Sequence, residues 1–408
     1  MRRVVVTGMA GITSLGDSWQ AIEAQLRAGA SGVERMPEWA QYTELNTKLA
    51  APVRSFKLPA SYTRKMTRTM GRVAQMATLA TERALRDAGL IDDPVVKSGR
   101  MGIAYGSCTG SSDALQDFAG MLISGVMGGI NATTYIRMMT HTAAVNIGVH
   151  FGIKGRVIPT ASACTSGSQG IGYAYEAIRF GRQNLMVAGG AEELCVSEAA
   201  VFDTLYATSR KNDAPTTTPA PFDRDRDGLV LGEGACTLIL EEREHALARG
   251  ATIFAEILGF GSNSDGDHVT HPNSATMEVA MRLALDDAGL APAAIGYVSA
   301  HGTATEQGDI AESQASQRVF GIKAPISSLK GNFGHTLGAC GALESWLTIE
   351  MMRNGWFAPT LNLRELDGRC GALDYIVDGG RALQTGIAMN NNFAFGGINT
   401  SLIFGRVS

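Results

Sequence analysis

No apolar stretch in this 408-residue chain reaches the roughly 18 residues a membrane helix needs. The longest, Phe118 to Ile130, is bounded by Asp117 and Asn131 and broken by Ser124 and glycines. Charge is sparse as well, with Asp, Glu, Lys and Arg together at 18%. The 35 basic and 39 acidic side chains leave a net charge of −4, so no global field draws nucleic acid or an anionic membrane. Cysteine is limited to six positions (Cys108, Cys164, Cys195, Cys236, Cys340 and Cys370) with no CxxC and no paired spacing. That argues against a disulfide framework and fits reduced thiols in the cytoplasm. Val4 to Val6 begin an apolar run that Thr7, Gly8 and Gly11 interrupt, with no small-residue cleavage site after it. A first strand and a turn are expected there, not a signal peptide.

Glycine, by contrast, is abundant: 49 of 408 residues, against roughly 7% in ordinary proteins. The glycines follow no Gly-X-Y period, and 45% hydrophobic residues supply a large core, so collagen-like, low-complexity and disordered readings are excluded. The length points to two domains or one duplicated unit. Duplication is the better account, because Ala84-Leu85-Arg86-Asp87-Ala88-Gly89-Leu90 recurs as Ala284-Leu285-Asp286-Asp287-Ala288-Gly289-Leu290. Each copy ends an amphipathic helix and is followed by an apolar run, Met101–Tyr105 or Ile295–Ser299. A loop of small polar residues comes next in both copies. A turn-plus-helix then starts at Ser162–Thr165 or at Asn332–His335. Last comes a buried strand running into glycines, Leu185–Gly190 or Ile387–Met389 before Gly396 and Gly397. Strands alternating with helices imply an α/β fold with mostly parallel sheets, divided into residues 1–250 and 251–408. Corresponding loops of the two halves should converge on one site, where strand ends meet helix N-termini.

Those loops carry the chemistry. Cys164 sits among Ala, Ser and Gly just before the helical pattern Ile171–Phe180, where the helix dipole favours a thiolate. A buried structural thiol is the bland alternative. Cys108, in Gly106-Ser107-Cys108-Thr109-Gly110, mimics a nucleophile elbow, but the helix start after it is weak. His301 opens His-Gly-Thr-Ala-Thr after a strand, and His335 lies in Gly-His-Thr-Leu-Gly-Ala. Two neutral imidazoles that donate to one oxygen suit an enolate better than general-base attack. A zinc site would need recognised ligand spacing, which Cys164 and two distant histidines lack. Lys330, Asp309, Glu312 and Glu344 are candidates for a charge network around the imidazoles. Asn390–Gly397 reads as a flexible loop in which Phe395, next to Gly396 and Gly397, can act as a gate.

Cys in a small-residue turn, His-Gly-Thr-x-Thr, Lys-x-x-x-x-His and Asn-x-Phe-x-Phe-Gly-Gly-x-Asn, in this order, resemble the β-ketoacyl-[acyl carrier protein] synthases, most closely the type II elongating enzymes. The resemblance runs from Val4 to Phe404. It implies a thiolase fold, five layers α-β-α-β-α built from two duplicated halves, and a homodimer or a heterodimer with a related subunit. It implies Cys164 as acyl acceptor, His301 and His335 as enolate stabilisers, and the N–H groups of Cys164 and Phe395 as an oxyanion hole. Lys330, Asp309, Glu312 and Glu344 match the supporting network, and Thr303, Thr305 and Thr270 the pantetheine-arm site. The partner is an acyl carrier protein bearing phosphopantetheine, and no metal or organic cofactor is required. An acidic carrier would dock on a basic patch, for which Arg64, Lys65, Arg68 and Arg72 form the densest run and Arg210 with Lys211 a second.

Three departures bear on the substrate. Ala394 replaces a glycine typical of the gate. Thr109 stands where acyl depth is limited, and Asp203 follows Phe202 near the acyl pocket. A carboxylate there points away from long saturated chains and toward polyene or polyketide-like synthesis. The competing functions are a chain-length-factor-like partner subunit, a degradative thiolase, a short-chain dehydrogenase and a papain-like hydrolase. The first lacks the nucleophile that Cys164 provides. The second uses another cysteine near the C-terminus, where Asn391 and Phe395 stand here. The third needs a Gly pattern and Tyr-x-x-x-Lys spacing that this chain lacks, and the fourth has no use for a second histidine.

Overall fold

Nine consecutive buried residues form the first strand, β1 (Val4–Ile12), which runs on through Gly8 and Gly11 instead of turning there. Packing explains the glycines. A Cβ at Gly8 would lie 2.3 Å from the Ala84 carbonyl oxygen, and one at Gly11 would lie 2.2 Å from the Trp346 ring. The computed structural model describes residues 1–407.

The first half continues with α1 (Arg72–Asp87), β2 (Met101–Gly106), β3 (Val157–Thr160), α2 (Ser166–Arg179), β4 (Leu185–Glu192) and β5 (Gly234–Glu242). The second begins with β6 (Ala255–Ser264), α3 (Ser274–Ala288), β7 (Tyr297–Ser299) and α4 (Glu306–Phe320). It ends with β8 (Pro325–Ser327), α5 (Cys340–Asn354), β9 (Asp374–Tyr375), β10 (Ile387–Ala394) and β11 (Ile398–Gly405). The repeated heptapeptide closes α1 and α3 in the same way. Leu90 N–H donates to Leu85 at 2.8 Å, and Leu290 N–H to Leu285 at 3.0 Å.

An 11-stranded sheet runs β9-β8-β7-β10-β11-β6-β1-β5-β4-β2-β3. The order is mirrored about its centre, where Val4–Val6 pair antiparallel with Ala255–Ile257. Outward from that seam each half repeats one pattern. β1–β5, β5–β4, β6–β11 and β11–β10 are antiparallel. β4–β2, β2–β3, β10–β7 and β7–β8 are parallel. The sheet is thus more mixed than expected. Parallel neighbours occur only among the outer strands of each half, while β10 and β11 are joined by a short turn that permits only antiparallel pairing.

Three apolar clusters define the layers. One joins α2 and α5 to strands of both halves, one packs α1 on the first half, and one packs α3 and α4 on the second. Every residue from Cys340 to Met352 in α5 is buried, as a helix enclosed between the two halves requires. α2 and α5 meet backbone to backbone. A Cβ at Gly167 would lie 2.9 Å from Ala342 N, and one at Gly341 would lie 2.7 Å from Ser168 N. The second-half helix expected from Asn332 starts only at Cys340. A single helical turn, Lys330–Phe333, and Gly334 (φ +67°) come first and present His335.

Candidate active site

Cys164 lies between β3 and α2, directly after Ala163, which is held at φ 50°. This left-handed residue turns the chain sharply into the helix. The thiol is buried, and burial pushes it up to about 11. The Lys330 charge and the N–H groups of Phe395 and Cys164 act in the opposite direction without offsetting burial. The lowered thiol expected from the helix dipole is therefore not found, because desolvation outweighs it. Both N–H groups lie close enough to the sulfur to act on it.

His335 follows the short helical turn and donates its own N–H to Val230 at 2.7 Å. Its Nε2 lies 3.1 Å from Cys164 Sγ, and its Nδ1 accepts the Leu337 N–H at 3.2 Å. His301 leaves the end of β7. Its Nδ1 faces Lys330 Nζ at 3.2 Å and Asn392 Nδ2 at 3.4 Å, both donors. The hydrogen-bond network thus assigns the proton of each neutral ring to Nε2. Burial, and then the Lys330 charge, hold both imidazoles well below their ordinary range, so both are neutral. The ring centroids are 5.1 Å apart and nearly perpendicular, at 85°. The potential ligand atoms of Cys164, His301 and His335 lie within 4.8 Å of one another. Protons on both Nε2 atoms make the set a better cradle for an anionic oxygen than for a metal ion.

The supporting residues are buried and saturated with hydrogen bonds. Lys330 Nζ pairs with Glu344 and donates to the His301 carbonyl at 2.6 Å. Glu312 accepts the N–H groups of His301 and Gly302, each at 2.7 Å. Asp309 accepts those of Phe222, Thr303 and Ala304 at 2.7, 3.0 and 3.1 Å. Two members were not identified from the sequence. Asn392 donates to Glu344 at 2.6 Å as well as facing His301. Arg226, its side chain 1% exposed, pairs with Asp309 at 3.4 Å and Asp367 at 2.8 Å. Its setting, Arg224-Asp225-Arg226-Asp227, reads as a solvated charge run; the only hint was that a buried Asp309 needs a countercharge.

A cavity of about 400 Å³ reaches Cys164, His301 and His335 from outside and is lined by Thr303, Thr305, Thr270 and Phe202. The Thr303 and Thr305 hydroxyls are 2.8 Å apart. Phe395 packs against Phe202 with ring centroids 5.0 Å apart and planes tilted by 40°. It sits in a three-residue turn between β10 and β11, pinned by Gly396 N–H to Val269 at 2.8 Å, not in a long flexible loop.

Several sequence candidates are placed differently. Asp203 does not face the acyl side. Its carboxylate accepts Asn46 N–H, Asn46 Nδ2 and the Thr208 hydroxyl at 2.7, 2.9 and 2.7 Å, plus Thr47 N–H at 3.2 Å. It fastens the Asn46 loop, so the substrate argument built on it fails. The Thr109 hydroxyl is engaged by Glu198 at 2.8 Å. Arg72 is half-buried, donating to Glu233 at 2.8 Å and to the Val53 carbonyl at 2.9 Å, which removes it from a docking patch. Lys211 is partly occupied by the Asp225 carbonyl at 3.0 Å, whereas Arg64, Lys65, Arg68 and Arg210 are exposed. Cys108 has no imidazole partner among the described residues, and burial together with Glu192 raises its thiol well above the ordinary range.

The β-ketoacyl synthase N-terminal domain family matches residues 1–246, and the β-ketoacyl synthase C-terminal domain family matches residues 254–364. The chain belongs to the β-ketoacyl synthase family. It is 37% identical to 3-oxoacyl-[acyl-carrier-protein] synthase 1 of Haemophilus influenzae, over 100% of this chain and 99% of that protein. Among solved structures, a β-ketoacyl synthase from Burkholderia phymatum STM815 is 59% identical, with a TM-score of 0.99 over 100% of both chains. The ishigamide ketosynthase/chain length factor is 32% identical, with a TM-score of 0.90, also over 100% of both. The fold is accordingly the five-layered thiolase arrangement, and the activity is that of an acyl-transferring condensing enzyme forming 3-oxoacyl groups on an acyl carrier protein. No helix among the described residues is long and apolar enough to cross a membrane.

Proposed function

We propose that Cys164 takes the acyl group and that His301 and His335 stabilise the enolate of a malonyl-carrier protein. The Cys164 sulfur attacks the carrier-bound thioester. A new C–S bond forms, and the phosphopantetheine thiol leaves with the proton that Cys164 gives up. Malonyl-carrier protein then enters the same cavity along Thr270, Thr303 and Thr305. Its carboxylate departs as CO₂, and the C–C electron pair becomes an enolate whose oxygen receives both Nε2–H donors. The α-carbon attacks the acyl-Cys164 carbonyl, and the oxyanion is held by the N–H groups of Cys164 and Phe395. The C–S bond breaks, the thiolate takes up one proton from solvent in place of the one that left with the first phosphopantetheine thiol, and a 3-oxoacyl-carrier protein is released. Decarboxylation supplies the carbanion, so the cycle calls for no metal or organic cofactor.

The observation that carries this reading is the pair of neutral imidazoles, each with Nδ1 occupied, beside a buried thiol 3.1 Å from one of them. Lys330, Glu344, Glu312 and Asp309 act as positioning residues. Arg64, Lys65, Arg68 and Arg210 form the carrier-docking surface. The chain works in the cytoplasm as two units, 1–250 and 251–408, and as a homodimer, with a related subunit as the alternative partner. The exposed apolar run Leu122, Ile123, Val126 and Met127 supports such an assembly. Incubation with an acyl-carrier protein should add the acyl mass to Cys164, and malonyl-carrier protein should then discharge it as the extended 3-oxoacyl product. An adduct on Cys108, or none on Cys164, would overturn the assignment in favour of a silent partner subunit or another nucleophile.

A further inference from the structure

Four acidic side chains, Glu192, Glu193, Glu198 and Asp203, are buried in the segment that follows Cys164, and one of them differs from the rest. Glu192 accepts the Ser107 hydroxyl and the N–H groups of Cys108 and Gly338. Glu193 accepts from Val73, Ser111 and Ser112. Asp203 is enclosed by Asn46, Thr47 and Thr208. These three hold loops together. Glu198, only 7% exposed, has a single hydrogen-bond partner among the described residues: the Thr109 hydroxyl donates to its Oε1 at 2.8 Å. No backbone N–H and no cation reaches it, so a purely structural role leaves most of its hydrogen-bonding capacity unused.

Its surroundings place it next to the apolar wall of the Cys164 cavity. Glu198 lies on the helix Val196–Thr204, one turn before Phe202, and residues four apart share a helix face. Phe202 lines the cavity of Cys164 and packs against Phe395. Val196, Ala199, Phe202, Cys108, Leu337 and Phe395 belong to one apolar cluster. An acyl chain passing from Cys164 between Phe202 and Phe395 would cross this apolar cluster toward the Glu198 carboxyl and the Thr109 hydroxyl. Burial first, then the Glu192 charge, push the Glu198 carboxyl upward, which favours the neutral form that can both donate and accept.

We propose that Glu198, with Thr109, forms a polar end to the acyl site and selects acyl chains that carry a hydroxyl or phenol at their distal end over plain alkyl chains. The inference rests on Cys164 being the acyl acceptor. A polar tip satisfies Glu198, whereas a methyl end buries it with its capacity unmet. A site built to hydrogen-bond a substrate group discriminates strongly against an analogue that lacks it.

Carrier proteins loaded with octanoyl, ω-hydroxyoctanoyl and para-hydroxyphenyl-terminated chains of similar length separate the possibilities. The wild type should extend at least one polar-tipped chain with kcat/KM about tenfold or more above octanoyl, and the two polar arms tell hydroxyl from phenol. Glu198→Leu should bring the ratio close to one, chiefly by improving octanoyl turnover, while Glu198→Gln, which keeps a donor and an acceptor, should preserve the preference. If Glu198→Leu does not fold, Thr109→Val reads the same site and should lower the ratio severalfold. A wild-type ratio at or below one, or a ratio unchanged in Glu198→Leu or Thr109→Val, overturns this inference while leaving Cys164 labelled. Failure of Cys164 to accept any of the three chains overturns the acyl-acceptor reading, and this inference with it.

Discussion

His335 points its Nε2 at Cys164 Sγ from 3.1 Å while its Nδ1 is occupied by the Leu337 N–H. The ring is thereby fixed as a donor toward the reacting centre. His301 reaches the same state by a different route, with Lys330 and Asn392 occupying its Nδ1.

His335, not His301, hydrogen-bonds the sulfur, so the two half-reactions should separate in a His301 variant. In His301→Ala the acyl adduct on Cys164 should still form, while CO₂ release from malonyl-carrier protein falls about 10²–10³-fold, the usual cost of one oxyanion donor. Mass spectrometry of the adduct and a CO₂ assay on the same preparation check this. Full decarboxylation in the variant would remove His301 from the enolate site.

Glu344 neutralises a lysine that has no route to water. Burial alone would lower Lys330, yet Glu344 and the other nearby acidic groups keep it above its ordinary value. Glu344→Gln strands that ammonium and should cost about 3–5 kcal/mol of stability, read from denaturant unfolding. The double variant Lys330→Met/Glu344→Leu should recover most of the loss without recovering condensation, since Nδ1 of His301 then keeps only the longer Asn392 contact.

The pH dependence of stability follows from Glu312. Burial raises this carboxyl from an ordinary value of 4.5 to about 8, with the Asp309 charge adding to the effect and the two N–H donors opposing it. Asp309, raised mainly by burial, sits at about 6. A carboxyl whose folded value exceeds its unfolded one favours folding while protonated. The contribution is complete below pH 4.5 and is lost as pH rises through 8. The thermal midpoint should therefore fall between pH 5 and pH 8. Glu312→Gln should flatten that slope; an equally steep slope in the variant would assign the effect elsewhere.

For carrier docking, Lys65→Glu and Arg68→Glu should raise the KM for the acyl-carrier substrate severalfold at low salt, less so as salt screens the surface. Arg72→Glu should instead lower the melting temperature, because it places like charge against buried Glu233. A KM unchanged by reversal at Lys65 and Arg68 removes that surface from docking.

Local patterns made much of this legible. Cys164, His301, His335, Lys330 and Phe395 each lie in a short run of small residues at a strand or helix end, and the repeated heptapeptide exposed the duplication. Residues defined by distant partners were not legible. Arg226 meets Asp309 and Asp367 across 83 and 141 positions, and Asp203 holds Asn46 across 157. Nothing near either residue in the sequence signals those contacts. Thr7, Gly8 and Gly11 read as the break between a first strand and a turn, because the need for backbone room against Ala84 and Trp346 becomes visible only when those helices are in place. Glu198 was passed over for Asp203, five residues on, since only the hydrogen-bond inventory tells a loop fastener from an underused carboxyl.

The facing glycines of the two central helices act as a spacer of zero thickness. Gly167 follows the nucleophile on one half, and Gly341 follows His335 on the other. Between them they meter how far apart thiol and imidazole stand. A methyl group added at either position, meeting main chain at 2.9 or 2.7 Å, would wedge the halves open and lengthen the 3.1 Å gap while touching no reacting atom. The gauge of the active site is thus kept by two side chains that are not there.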